Sequence, residues 1–488
     1  MAAEPSAWRL GFRPDAAPRM AAPSWSWTVP FTIDTRSLAL FRILIAVIVL
    51  GDLAYRAPDI GFFLTDQGAL PVAELARLDP IHWSWSLHSW SGSAWWQWCL
   101  FALHGLAAVG LGLGWRTRWL AVATWVLTVS LHSRNPQILQ GGDVLLRCLL
   151  FWGLFLPLGA RWSLDACRPT AVPPPPTVAS LASVAILLQL AGMYVFSGIL
   201  KWHPIWLNDG TAVWYALHID QLTTPLGRWL GEQDSVLPWL SRGTPLFELF
   251  GPLIAFSPWR TAWFRGLALV LFLGFHLSLA LCLHLGPFPF VCLAGWLLFV
   301  PSPWWDWRRR DGQAAPPPPA HDPRLPFWQE ALVIMLFANV LLWNLRTTAF
   351  EAWRGFYPTS LNWILELPRL DQMWAMFAPF PLVDDGWYVA PATLADGSTV
   401  DLLRGQAPSE DPPAGDPYAT ERWRKYLMNL YLAENIGWRA LALNALVRRF
   451  EAAHPGQKVT HAELRFWLKT NHYHGSPQYR LEILQSFN

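Results

Sequence analysis

Nine apolar runs, at about 37–55, 95–114, 118–133, 144–160, 178–200, 245–258, 263–285, 287–302 and 328–347, set the terms on which this chain can fold. A hydrocarbon slab of about 30 Å takes roughly 20 apolar residues of helix, so the runs are predicted membrane spans. The sixth and eighth are short and hold Pro245, Pro252, Pro287 and Pro289, so each either crosses fully or re-enters. Lys and Arg near span ends are retained in the cytoplasm. Arginine precedes the first run (Arg9, Arg13, Arg19, Arg36) and follows the second (Arg116, Arg118), fourth (Arg161, Arg168), sixth (Arg260, Arg265) and eighth (Arg308, Arg309, Arg310). A nine-span count puts all of these on one side. The N-terminus is then cytoplasmic and everything after the ninth run extracytoplasmic, in a plasma membrane of bacterial type.

Composition agrees. The chain is 53% hydrophobic and 14% charged, where a soluble domain is about a quarter charged. Its mean hydropathy of only +0.24 requires a polar portion as well. Many of the 34 Trp lie just outside the apolar runs, as in the aromatic belt of a bilayer interface. An aromatic-rich soluble core is the competing explanation. Cys99, Cys148, Cys167, Cys282 and Cys292 show no CxxC and no zinc spacing, so neither disulfides nor a metal is expected. The arginines form no phosphate-binding patch, and nucleic acid is not expected as a partner. Residues 1–34 lack an apolar h-region and read as a cytoplasmic tail, not a cleaved signal. Pro173 to Pro176 and Pro316 to Pro319 read as stiff linkers.

From about 350 the pattern changes. Alternating apolar residues around Asp396-Gly397 predict a hairpin. Residues 419–432 and 435–453 predict two amphipathic helices, and 458–469 and 478–486 two more strands. The predicted fold is an all-α polytopic membrane bundle of about nine transmembrane helices (35–349) with a small C-terminal extracytoplasmic α+β domain (350–488). The basic residues Arg422, Arg424, Lys425, Arg448 and Arg449 read as a solvated helix face, with contact to anionic head groups or an acidic substrate as the alternative.

Ionisable groups at membrane depth are costly and mark candidate sites. The turn Leu131-His-Ser-Arg134-Asn135-Pro-Gln137-Ile-Leu-Gln140-Gly-Gly-Asp143 offers an Arg134–Asp143 pair and the amides of Asn135 and Gln140. It is either a satisfied turn or the polar wall of an outward cavity. Lys201 ends a long apolar helix before Trp202, His203 and Trp206. Its ammonium either snorkels to the interface or faces a dry cavity, where desolvation makes it a general base. His276 inside the seventh run either bonds a neighbouring helix or carries protons, and His284 lies nearer the run's outer end.

The run Arg134-Asn-Pro-Gln-Ile-Leu-Gln-Gly-Gly-Asp143, then Leu-Leu-Arg, Phe-Trp-Gly-Leu-Phe-Leu-Pro-Leu-Gly and Arg161-Trp-Ser-Leu-Asp165, resembles the bacterial HTTM-domain proteins. These are multi-pass relatives of vitamin K-dependent γ-glutamyl carboxylase. A looser likeness extends to Trp374-Ala-Met-Phe-Ala-Pro-Phe-Pro. The resemblance implies a base at Lys201, matched within Phe196-Ser-Gly-Ile-Leu-Lys201 ahead of Trp206, and a counterpart of the carboxylase Phe-His at Phe275-His276. The carboxylase's second Lys has no counterpart beside Lys201. Its Asn-His pair appears as Asn135-Pro136, without the imidazole, and most of its lumenal propeptide-binding region has no counterpart.

The resemblance therefore implies Lys201 and His276 as catalytic and Asn135, Arg134, Gln140, Asp143 and Trp206 as substrate-binding. It implies reduced vitamin K or menaquinone as cofactor and, besides the lipid bilayer, an isoprenoid quinone and an extracytoplasmic protein or peptide as partners. In that chemistry Lys201 deprotonates a hydroquinone while His276 and Asn135 orient the ring or a developing oxyanion. The rival is a non-catalytic lipid- or quinone-binding protein with an outer interaction domain. A transporter is disfavoured by the lack of paired repeats and of mid-span charge.

Overall fold

The computed structural model describes residues 29–78, 83–169, 173–306, 326–348, 355–413 and 418–487. Arg9, Arg13, Arg19, the run Arg308 to Arg310 and the prolines 316–319 lie outside the described residues. Every predicted span holds a helix: α1 (Thr35–Arg56), α2 (Ala94–Leu113), α3 (Thr117–Arg134), α4 (Gly141–Gly153), α5 (Leu181–Leu200), α6 (Leu237–Ile254), α7 (Thr261–Cys282), α8 (Phe288–Trp296) and α9 (Phe327–Arg346).

Among the described residues only five, α1, α2, α5, α7 and α9, are long and apolar enough to cross a bilayer. Length and composition thus confirm five of the nine expected spans as candidates and not the other four. At 1.5 Å per residue, the 13 residues of α4 and 9 of α8 reach only about 20 and 14 Å. Helix α3 ends on Ser130, His132, Ser133 and Arg134, and α6 carries Pro245, Glu248 and Pro252.

Local sequence sets the helix ends. Asp34 caps α1 by accepting from Arg36 N at 2.8 Å. Gly114, at φ +69°, ends α2 in the left-handed region that glycine adopts without strain. Ser180 and Ser183 form a reciprocal capping box on α5, and Gln140 and Asp143 do the same on α4.

The C-terminal part holds strands β1 (Asp384–Val389), β2 (Pro391–Leu394), β3 (Thr399–Asp401), β4 (Val459–Thr470) and β5 (Gln478–Phe487), with helices α10 (Glu421–Tyr431) and α11 (Ile436–Ala453). All pairings are antiparallel. Long β4 carries β1 (Trp387 opposite Trp467) and β2 (Ala392 opposite Ala462) along one edge and β5 (Leu468 opposite Arg480) along the other. The predicted hairpin is β2–β3, turning at Gly397 with φ +87°.

The change of composition at 350 is not a break in packing. One apolar core contains Leu149 and Leu190 of the bundle together with Leu365, Leu370, Trp374, Leu430 and Phe466. Residues 363–377 fold back among the helices because buried polar groups there need partners. Arg147 donates to the Arg369 carbonyl at 2.8 Å and pairs with Asp371 at 3.0 Å. Gln189 donates to Gln372 at 2.7 Å, and Trp343 Nε1 to the Gln372 carbonyl at 2.9 Å.

Candidate functional site

The residues singled out from the sequence fall into two hydrogen-bonded groups. The first centres on Asp143 at the start of α4. Arg56 of α1 donates to Asp143 at 2.8 Å and to Asp52 at 2.8 Å. Arg422 of α10 reaches Asp143 Oδ2 at 2.5 Å, Asp143 Oδ1 at 2.7 Å, Asp52 at 2.7 Å and the Ile138 carbonyl at 2.8 Å. His132 Nε2 of α3 stands 3.5 Å from Asp143.

Asp52, His132 and Asp143 bring ligand atoms within 4.8 Å of one another, but two guanidinium groups already neutralise the two carboxylates. The arrangement is therefore an ion-pair network and not an open cation site. Burial lowers the pKa of Arg422, yet Asp143 and Asp52 outweigh that and hold it above the ordinary arginine value.

Several expectations change here. Arg422 is 2% exposed, so it is not part of a solvated face. Arg424 pairs with Glu421 at 2.5 Å, Arg448 donates to the Gln67 and Gly68 carbonyls, and Arg449 stacks over Phe62 and Trp423. Arg134 does not pair with Asp143. It points to the segment after α1, donating to the Leu70 carbonyl at 2.7 Å. Asn135 donates to the Phe63 carbonyl at 3.0 Å and caps the turn through Gln137 N at 3.1 Å. Gln140 caps α4.

The second group lies along one face of α5. Lys201 is 2% exposed, so its ammonium does not snorkel to head groups. It donates to Ser197 at 2.5 Å and to Glu248 of α6 at 2.7 Å, and stands 5.8 Å from the Trp206 ring. Seven residues earlier, Tyr194 joins His276 Nε2 at 2.5 Å and accepts from Trp296 Nε1 at 2.9 Å. His276 Nδ1 has no partner among the described residues. Phe288 separates the two groups, with its ring 5.7 Å from His276 and its backbone tight against Gly142.

Of the two groups, only Asp52 lines the large cavity. That cavity, about 830 Å³, lies between α1 (Leu44, Val47, Ile48, Gly51, Asp52, Tyr55) and the segment from Ala280 to Ala294. Ala419, Thr420, Glu421 and Arg424 roof it, with Gln221 and His284 beside them. Its volume is that of small-molecule sites, which run from about 300 to 1,000 Å³. The lining is graded, apolar along Leu44, Val47, Ile48, Pro289, Phe290 and Leu293 and polar toward Asp52, Tyr55, His284 and Glu421. Val47 and Phe290 are 58% and 56% exposed, so the apolar end is open at the protein surface.

The roof is tied down where the Glu421 amide donates to Tyr55 Oη at 2.7 Å. Gln221 Oε1 on the wall, and Gln140 Nε2 against wall residue Gly286, lack partners among the described residues. Of these residues His284, Gln140 and Arg424 were singled out from the sequence; Asp52, an acid inside the first apolar run, was the signal left unread.

The chain is thus mostly helical, with five helices among the described residues long and apolar enough to cross a membrane, and a small C-terminal sheet. A family model described as the HTTM domain matches residues 31–304, more than half of the chain, and the chain belongs to that family. No curated protein and no solved structure matches it.

Proposed function

We propose that this HTTM protein binds an isoprenoid quinone or quinol of the vitamin K and menaquinone class in the cavity between α1 and α8. The single observation that carries the reading is the graded lining: a polar roof for a ring and an apolar end that lets a chain of isoprene units leave sideways into lipid. The family's association with vitamin K-dependent carboxylation supports the same ligand class. In this reading the Lys201–Glu248 pair is structural and 384–487 serves as the roof and as an interaction module for an extracytoplasmic protein or peptide. The membrane is a bacterial plasma membrane, with the N-terminus in the cytoplasm.

Gly51 lines the cavity and has open space where a Cβ would stand. Gly51→Phe therefore fills it without displacing backbone. The test is menaquinone titration of purified protein in nanodiscs, with mass spectrometry of co-purified lipid. Wild type and Lys201→Ala bind alike, while Gly51→Phe loses at least about tenfold, roughly 1.4 kcal/mol. Equal binding by wild type and Gly51→Phe sinks the reading.

A second reading rests on Glu248 lying 2.7 Å from the Lys201 amine. A carboxylate so placed can take the ammonium's proton, leaving a neutral amine to deprotonate a hydroquinone, as quinol-dependent oxygenation or carboxylation requires. Epoxide formed from reduced vitamin K by wild type, and not by Lys201→Ala, supports it. No epoxide from wild type removes it.

A further inference from the structure

Between α5 and α6 the chain makes a short helix, Pro225–Gly231, and a turn into Leu237. Its apolar side chains face outward. Trp229 and Trp239 are 58% and 74% exposed, and Leu226, Val236 and Leu240 are exposed beside them. An aqueous surface would not collect five large apolar side chains in sixteen residues at no advantage.

Where this segment lies along the membrane normal follows from how it is held. Helix α7 has 22 residues, about 33 Å at 1.5 Å per residue, which matches a hydrocarbon slab of about 30 Å. Its last turn therefore marks the hydrocarbon boundary. Thr224 N donates to the Cys282 carbonyl at 3.0 Å and Thr224 Oγ1 to the Leu281 carbonyl at 2.6 Å. Thr223 bridges Leu283, and Gly227 packs so tightly on the Cys282 carbonyl that no Cβ fits. The helix is fixed at that boundary, on the side where the sheet lies, because Lys469 of β4 pairs with Asp220 at 2.5 Å.

We infer that residues 225–240 form an interfacial wedge, seated in the phospholipid leaflet on the sheet side and lying in its plane. Helix α7, to whose end the wedge is hydrogen-bonded, is long and apolar enough to cross a bilayer and itself exposes Leu277 and Leu281. That attachment identifies lipid, and not a protein, as what covers the wedge. Tryptophan suits this depth because an apolar ring and a polar N–H meet there. Arg228 is offset by Glu232 and Asp234, so the wedge holds by apolar insertion and is indifferent to lipid head-group charge.

Nitroxide labels at Trp229→Cys and Trp239→Cys test this in the full chain, with accessible Cys99, Cys167 and Cys282 replaced by Ser. In phosphatidylcholine vesicles, oxygen broadens both labels at least about threefold more than a water-soluble nickel chelate, as it does a label at the exposed position 277 of α7. Adding anionic lipid changes neither. Nickel-dominated broadening places the segment in water and overturns the inference. Protection from both reagents also overturns it, since a protein partner or a second copy then covers the surface. Trp229→Ser/Trp239→Ser, which touches only exposed positions, lowers the oxygen preference of a label at 226 by about threefold while helical circular dichroism is kept. An unchanged label at 226 removes the two tryptophans from the mechanism.

Discussion

The two polar groups inside this protein are built from different stretches of chain. The Lys201 group joins α5 to α6 and α7, helices that follow one another in sequence. The Asp143 group joins α1, α3 and α4 to α10, whose Arg422 comes 370 positions after Asp52. The first is a local matter of neighbouring helices. The second rivets the C-terminal part to the bundle. Buried charge stabilises only as a complete set, so the more elements a set draws on, the more of the fold should fail when one member is removed.

Arg422→Ala gives the largest effect. It leaves Asp52 and Asp143 with one guanidinium between them, and loss of one partner from a buried pair costs about 3–5 kcal/mol. Thermal unfolding in detergent is expected to drop by many degrees, with early protease cleavage of 384–487. An effect no greater than for the exposed Arg228→Ala breaks the comparison. Glu248→Ala strands a single ammonium and should cost about 3 kcal/mol, the low end of that range, without releasing the C-terminal part. Lys201→Met with Glu248→Leu replaces the whole pair by apolar groups, and stability should return to within about 1 kcal/mol of wild type. Persistence of the single-variant loss in that double variant would give the pair a role that packing does not replace.

The smallest effect concerns pH. Burial pushes the Asp385 carboxyl up, although Gln221 and the Asp220 amide donate to it. A carboxyl raised by folding contributes stability that is full below its unfolded pKa and is lost as pH rises through the folded value. Melting temperature should therefore decline modestly as pH climbs past the ordinary carboxylate range, and Asp385→Asn should flatten that slope. A slope unaltered in Asp385→Asn assigns it to another group.

Much of the fold was legible because periodicity is local. Alternation in Val459–Thr470, the Asp396-Gly397 turn and six of the nine apolar runs fixed an element within a few residues of its observed ends, while the fourth, sixth and eighth runs missed one end by six to eight residues. Membrane crossing was less legible, because hydropathy does not distinguish a helix buried by other helices from one buried by lipid. Apolar α4 is almost wholly covered by protein. Helix α10 shows the same limit for charge. Its pattern gives a buried face of Trp423, Tyr426, Leu427 and Leu430 but not what covers it, and Arg422 shares that face.

One signal was available. Asp52 lies within an apolar run and Asp143 directly before one, Arg56 is one cation, and electroneutrality at depth calls for a second. The cavity left no comparable trace, since its wall is assembled from four distant stretches.

Helix α10 does two jobs with adjacent residues. Arg422 plugs downward into the carboxylates, while Thr420, Glu421 and Arg424 form the ceiling over the space beside α1. Rivet and ceiling are one rigid turn of helix, so a variant that loosens the first also tilts the second. Ligand measurements on any Arg422 variant will read both at once, and the wall position Gly51 is where occupancy can be altered with the rivet left intact.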